Sequence, residues 1–146
     1  MAIKRADFPL PDLDDPLTGE FFAGAARGEL VIPRCQACSR FVWYPAARCP
    51  GCEGALQWVP VSGAATLFSW AVVRRPFLPA FAEMVPFVTA LVALVEDPGV
   101  RLCSYVVDAA PDELRADAAL RVAFRPLSFP TVPDRSVTVP VFTVTL

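Results

Sequence analysis

The chain has 146 residues, 55% of them hydrophobic and 19% charged, with a formal net charge of −2 and a sequence pI near 5.1. That length holds one ordinary domain or two very small ones, and the apolar excess excludes a disordered, solvated chain and favours burial against a partner. The acidic balance argues against phosphate-backbone binding, and with no histidine no Ser–His or Cys–His dyad can form within the chain.

No apolar signal core follows Lys4 and Arg5, and the longest apolar run, residues 84–95, is interrupted by Pro86 and Thr89 and falls short of the ~18 residues of a membrane span. A cytoplasmic protein with reduced thiols is expected. Residues 12–15 read as a helix cap, and Pro16 suits a first helical turn, where its missing N–H costs nothing. Leu17, Phe21 and Ala25 then fall at helical spacing, Phe22 and Ala26 widen the stripe, and Gly28 is a stop. Such a helix either packs on its own domain or, through the adjacent Phe21 and Phe22, forms an arm that docks on a partner.

Residues 29–34, 41–44 and 55–61 read as short strands around two cysteine pairs, Cys35-Gln-Ala-Cys38 and Cys49-Pro-Gly-Cys52. A Cys-x-x-Cys turn aims two sulfurs at one point, and two such turns supply the four corners that Zn²⁺ prefers. A lone pair would be weak evidence, since redox motifs share it; two so close together make a strong metal signature. Four protein ligands leave no open position for water, so one structural zinc per chain is expected on Cys35, Cys38, Cys49 and Cys52. Two disulfides, free thiols or a rubredoxin-like iron site are the competing readings. The ribbon is too small to carry a core of its own and needs the metal or a neighbouring domain. Arg34, Arg40 and Arg48 surround it and offset its thiolate charge.

From Gly63 onward the pattern is all-β, with strands expected at 66–73, 87–95, 101–107, 120–125 and 138–144 and a helical turn within 111–117. Five short strands with a helical turn between the third and fourth is the order of an OB-type barrel. Residues 87–95 are apolar on both faces, so the outer face needs a cover. Pro140 is expected on an edge strand, and Cys103 is expected to be a buried strand residue rather than a nucleophile. The fold class is thus mainly β: an N-terminal helical arm (1–29), a rubredoxin-like zinc ribbon (30–61) and a five-stranded OB-fold domain (62–146).

The whole pattern resembles the acyl-CoA-associated zinc-ribbon/OB-fold family, long catalogued as a domain of unknown function. The carrying pieces are residues 28–40 around the first cysteine pair, 44–52 around the second, Trp58-Val-Pro-Val-Ser-Gly63, Arg74-Arg-Pro-Phe77, and the apolar runs 86–95 and 120–124. Ser39 and Ala65 stand where the family often has Gly. The resemblance implies a non-catalytic accessory subunit of a thiolase-superfamily acyl-CoA enzyme, a thiolase or a lipid-transfer-protein-type retro-aldolase such as those that cleave steroid side chains. It implies a free-standing subunit or an isolated domain that stabilises its partner and helps shape the substrate channel. Arg74 and Arg75, in the loop between the first two barrel strands, are cations suited to CoA phosphates, and Phe77 and Phe81 are apolar groups suited to an acyl chain. OB folds commonly bind ligands with this loop. The alternative function is a single-stranded nucleic-acid-binding module, with Trp43, Tyr44, Trp58 and Trp70 available to stack bases; the low pI and absence of a basic stripe argue against it.

Overall fold

The computed structural model describes residues 5–145; residues 1–4 of the expected arm and Leu146 of the expected barrel domain lie outside them. One helix, α1 (Gly19–Ala26), precedes seven strands: β1 (Val31–Cys35), β2 (Leu56–Pro60), β3 (Ala64–Val73), β4 (Phe87–Leu94), β5 (Arg101–Val106), β6 (Ala119–Phe129) and β7 (Val132–Val144). β1 and β2 form a two-stranded ribbon, and the other five close into a barrel in the order β3-β4-β5-β7-β6. A short 3₁₀ turn at Pro111–Glu113 lies between the third and fourth barrel strands, where the helical turn was expected. Among the described residues no helix is long and apolar enough to cross a membrane.

The helix begins three residues later than Pro16 suggested. The Asp15 carboxylate accepts from the Leu17 and Thr18 amides at 2.8 and 3.1 Å, which folds residues 15–18 into a turn before the helix proper. Its end follows the expected stop: Gly28 has φ +77°, its N–H reaches Ala25 O at 3.0 Å, and the Glu29 N–H reaches Gly24 O at 2.9 Å, the paired bonds of a Schellman cap. Gly24 permits the close approach to the ribbon, since a Cβ there would stand 2.6 Å from Val31 Cγ2.

The barrel interior follows the two-residue period of its strands. Ala65 and Leu67, then Val88, Ala90, Val92 and Leu94, then Leu102, Val106, Leu120 and Phe142 point inward and are buried. Leu30 and Ile32 from the ribbon side join this same cluster, so the ribbon's base closes one part of the barrel core. A second apolar cluster sits outside the barrel, where the β6–β7 hairpin runs on past it. There Phe129, Val132, Val137, Val139 and Val141 pack with Ala80 and with Leu10, whose exposure is 1%. Leu10 anchors the segment 5–18, which Arg5 and Asp7 tie down through the Leu10 carbonyl and Arg135.

Three strand expectations are corrected. Residues 41–44 form no strand; Phe41 makes a single bridge to Arg34, after which the chain turns so that Trp43 can pack on Phe21. Strands β6 and β7 extend well beyond 120–125 and 138–144. Pro126, Pro130 and Pro133 hid this extension, which is a two-stranded hairpin beyond the barrel whose outer edges need no amide partner. Pro140 lies inside a closed barrel rather than on an edge strand. β5 and β7 share one parallel pair, Val106 with Phe142, and on that side the Ser104 hydroxyl donates to Pro140 O at 2.9 Å in place of a backbone bond. The missing proline N–H therefore costs the sheet no ladder bond across this seam.

Candidate metal centre and adjoining cavity

Each cysteine pair opens a tight knuckle. In the first, the Cys35 amide donates to Arg40 O at 2.8 Å and Ser39 N–H returns to Cys35 O at 3.0 Å; in the second, Cys49 N–H reaches Gly54 O at 3.0 Å and Glu53 N–H reaches Cys49 O at 2.8 Å. Ser39 and Glu53 hold equivalent places, and both have φ +63°. This left-handed conformation is the one glycine adopts most easily, which is why a family glycine can stand at Ser39.

The four sulfurs all lie within 4.8 Å of one another. Cys35 Sγ is 3.4 Å from Cys52 Sγ, and Cys38 Sγ is 3.7 Å from Cys49 Sγ. These separations are far beyond the ~2.05 Å of a disulfide and close to the roughly 3.8 Å edge of a tetrahedron with ~2.3 Å metal–sulfur bonds. The four cysteines are positioned to bind a metal. Cys35 and Cys49 are buried, and Cys38 and Cys52 face solvent. Gly54 completes the cradle: a Cβ there would lie 2.8 Å from Cys35 Sγ and 3.2 Å from Cys52 Sγ.

Backbone amides already bias the site toward thiolate. The Cys38 amide, 3.4 Å from Cys35 Sγ, is the main cause that lowers the Cys35 thiol to about 6, and the Cys52 amide foremost lowers Cys49. Cys52 goes the other way. The Gly54 amide favours its thiolate, but hydrogen bonds from the other sulfurs, Cys35 first, push it up to about 12. Four sulfurs so close cannot all ionise alone; a divalent cation at their centre is what permits it. The neighbouring arginines differ in what they do. Arg34 donates to Ser39 O at 3.0 Å and lies over the Phe41 ring, Arg40 lies across Gly51, and Arg48 makes no ion pair among the described residues.

Beside the ribbon is a cavity of about 550 Å³, walled by α1, the Trp43–Tyr44 corner, the segment 5–18 and the β5–β7 seam. Phe21 and Phe22 line it: Phe21 packs on Trp43 with ring centres 5.2 Å apart and joins the barrel core, while Phe22 joins the outer cluster. The helix is thus packed on its own domain. A smaller cavity of about 370 Å³ lies further along the seam, and Tyr105, Leu127 and Val139 line both. Burial pushes the Tyr105 hydroxyl up, with the Cys103 charge adding to it.

The loop residues singled out in the sequence are separated. Phe81 turns inward, edge-on to Phe129 at 5.3 Å, and lines the larger cavity; Phe77 is 86% exposed; Arg74 and Arg75 are exposed. Cys103 is exposed, against expectation, because β5 turns Leu102 and Val106 inward and leaves position 103 on the outer face. The outer face of β4 is only partly covered: Phe87 packs on Phe81 and Tyr105, while Leu91 stays 38% exposed. Gly54, Leu10 and Tyr105 had no signal of their own in the sequence, because their roles come from contacts between segments distant along the chain.

Residues 22–59 match the family described as ChsH2, rubredoxin-like zinc ribbon domain, and residues 58–125 match ChsH2, C-terminal OB-fold domain. A DUF35 domain-containing scaffold protein of Methanothermobacter thermautotrophicus is 30% identical over 101 residues, 68% of this chain and 74% of that protein. A probable enoyl-CoA hydratase alpha subunit of Thermomonospora curvata is 42% identical over 96 residues, 64% of this chain; the match spans 28% of that relative's length. Among solved structures, a chain of an Ltp2-ChsH2(DUF35) aldolase superposes with a TM-score of 0.79 at 28% identity, covering 93% of this chain and 100% of that one. A DUF35 protein of unknown function from Sulfolobus solfataricus has a TM-score of 0.57 at 16% identity, covering 90% and 87%, a likeness of fold alone.

Proposed function

The chain belongs to the ChsH2/DUF35 zinc-ribbon and OB-fold family, and on that premise we propose that it is the non-catalytic accessory subunit of a thiolase-superfamily acyl-CoA enzyme. The reaction is a retro-aldol cleavage or a thiolase step in lipid or steroid side-chain metabolism, carried out by the partner. The observation that carries this reading is the near full-length likeness to a chain of the Ltp2-ChsH2(DUF35) aldolase. Within the molecule, the apolar cavity walled by helix, ribbon and barrel supports a share in the partner's substrate channel, with Phe81 facing it. The metal is Zn²⁺, one per chain and structural, held by Cys35, Cys38, Cys49 and Cys52; it cross-links two knuckles and leaves no open position for chemistry. The alternative, a single-stranded nucleic-acid-binding module, is disfavoured by the net charge of −2.

Co-purification from the native host and assay of the complex test this. The expected result is a stoichiometric complex with an acyl-CoA enzyme whose turnover falls when this chain is removed. Cleavage of an acyl-CoA by the purified chain unaided would overturn the accessory role.

A further inference from the structure

The loop between β3 and β4, residues 74–86, carries an apolar tip that none of the described residues covers. Phe77 is the most exposed large apolar side chain among the described residues, at 86%, and Leu78 beside it is 42% exposed. An exposed aromatic on a floppy loop would mean little, but this loop is braced. It carries Pro76, Pro79 and Pro86. Its 3₁₀ turn, Pro79–Phe81, is closed by Phe81 N–H to Leu78 O at 3.0 Å, Ala82 N–H to Pro79 O at 3.2 Å and Met84 N–H to Phe81 O at 3.0 Å. Ala80 is buried, and the Phe81 ring is clamped between Phe87 and Phe129 at 5.9 and 5.3 Å. The base is thus fixed in the outer cluster while the tip is presented to solvent. Binding through such a tip loses little conformational entropy.

The charges at its base say what it meets. Arg5, Arg27, Arg125 and Arg135 are paired with carboxylates of this chain. Arg74 and Arg75, like Arg40, Arg48 and Arg121, have no ion pair, side-chain hydrogen bond or ring contact among the described residues, and of these five they are the two that stand just before the exposed Phe77. Two free guanidinium groups just before an aromatic anchor are the composition of an interface hot spot, completed by carboxylates on the other side. A single Phe-Leu tip does not offer the broad apolar helix face with which proteins lie on a bilayer.

We propose that this loop is the docking anchor of the chain, with Phe77 seated in an apolar pocket of a partner protein and Arg74 and Arg75 paired with carboxylates on that pocket's rim. In naming the acyl-CoA enzyme as that partner, the assignment rests on the function proposed above.

The test uses the full chain in its native host with the photo-crosslinking residue p-benzoylphenylalanine placed at position 77 and, separately, at positions 13 and 91. Irradiation should link position 77 to the enzyme subunit, at a site whose neighbours are apolar residues and Asp or Glu. F77A and the double variant R74E/R75E should each weaken the isolated complex by about tenfold or more, with the melting temperature of the chain unchanged. A link at 77 to a carboxylate-rimmed pocket on a protein of another class would keep the anchor and overturn the enzyme reading. Capture of the enzyme from 13 or 91 but not from 77 would overturn the anchor and keep the enzyme. Crosslinks from 77 only to lipid or to a second copy, no crosslink at all, or variants that raise KM for acyl-CoA without loosening the complex, would each overturn the anchor.

Discussion

The ribbon and the barrel solve the same problem, holding short strands together, with opposite means. The ribbon has one five-residue pair of strands, β1 with β2, and a minor cluster of Cys35, Val42 and Cys49. The barrel has five strands around an apolar centre in which Phe142 has no exposure at all. One region gathers four cysteines positioned to bind a metal, the other many side chains that exclude water. The two meet where Leu30 and Ile32 enter the barrel cluster and where Ser62 is held by the Glu96 carboxylate. The difference teaches that local sequence specifies the first region and the packing of distant segments specifies the second.

The largest effect should come from removing the metal. Structural zinc contributes on the order of 10–16 kcal/mol to ordering small metal-bound modules. Chelation, or C49S at a buried ligand, should therefore unfold residues 31–60 while β4 persists. Hydrogen exchange reads this directly: ribbon amides should lose protection and the Phe87–Leu94 amides should keep it. Loss of both in one step would mean that Leu30 and Ile32 weld the regions into a single cooperative unit.

The converse experiment is F142A. Deleting a fully buried Phe costs about 3–5 kcal/mol through lost burial and the cavity left behind. For a chain of this size that lowers the melting temperature by on the order of 10 °C. Metal content, measured by release with a thiol reagent and a zinc dye, should stay at the wild-type value in the folded protein. A fall in metal content with the fold retained would show that the barrel organises the knuckles.

What was legible in the sequence follows the same division. Cys35, Cys38, Cys49 and Cys52 could be assigned to one site because spacing within a knuckle is a local property. The barrel was readable because five short strands with a helical turn between the third and fourth follow the order of an OB-type barrel. The reach of the β6–β7 hairpin was not, because its prolines mimic a loop until one sees that its edges are free. Cys103 was misjudged on residue type, since free cysteines are usually buried; it shares the outward face of Arg101, while Leu102 and Val106 take the inward one. The cavity was invisible, since Pro9, Phe22, Trp43 and Tyr105 come from four separate segments.

Two glycines sharpen the contrast at smaller scale. G54A puts a methyl 2.8 Å from Cys35 Sγ and should lower metal affinity by about 10–100-fold, the usual cost of disturbing the groups around metal ligands. Competition with a chelator of known affinity measures it. G63A lies at the ribbon–barrel junction, where φ is +83° and Val122 crowds the added methyl. It should cost about 1–3 kcal/mol of stability with metal affinity unchanged, read from denaturant midpoints. An exchange of these outcomes would dissolve the distinction between the two regions.

The smallest effect concerns Tyr105, on the barrel wall of the cavity. Burial, and then the charge of Cys103, pushes its pKa up in the folded state, so the hydroxyl holds its proton more tightly there. An unfolded tyrosine releases its proton near pH ~10. Above that pH the unfolded chain binds fewer protons than the folded one, so stability falls as pH rises; below it both states keep the proton and the residue contributes no slope. Thiolates already bound to a metal hold no proton to release, so the difference between the two proteins in their metal-loaded form reports on Tyr105. Y105F should make the decline in melting temperature above about pH 10 shallower and leave values at neutral pH nearly unchanged. The residue is half-exposed, so the difference will be small, and thermal scans of both proteins side by side across the alkaline range are needed to resolve it. An identical alkaline slope in both would show that the hydroxyl reaches water freely through the cavity mouth, making the barrel wall at Tyr105 as solvated as the rim of the ribbon.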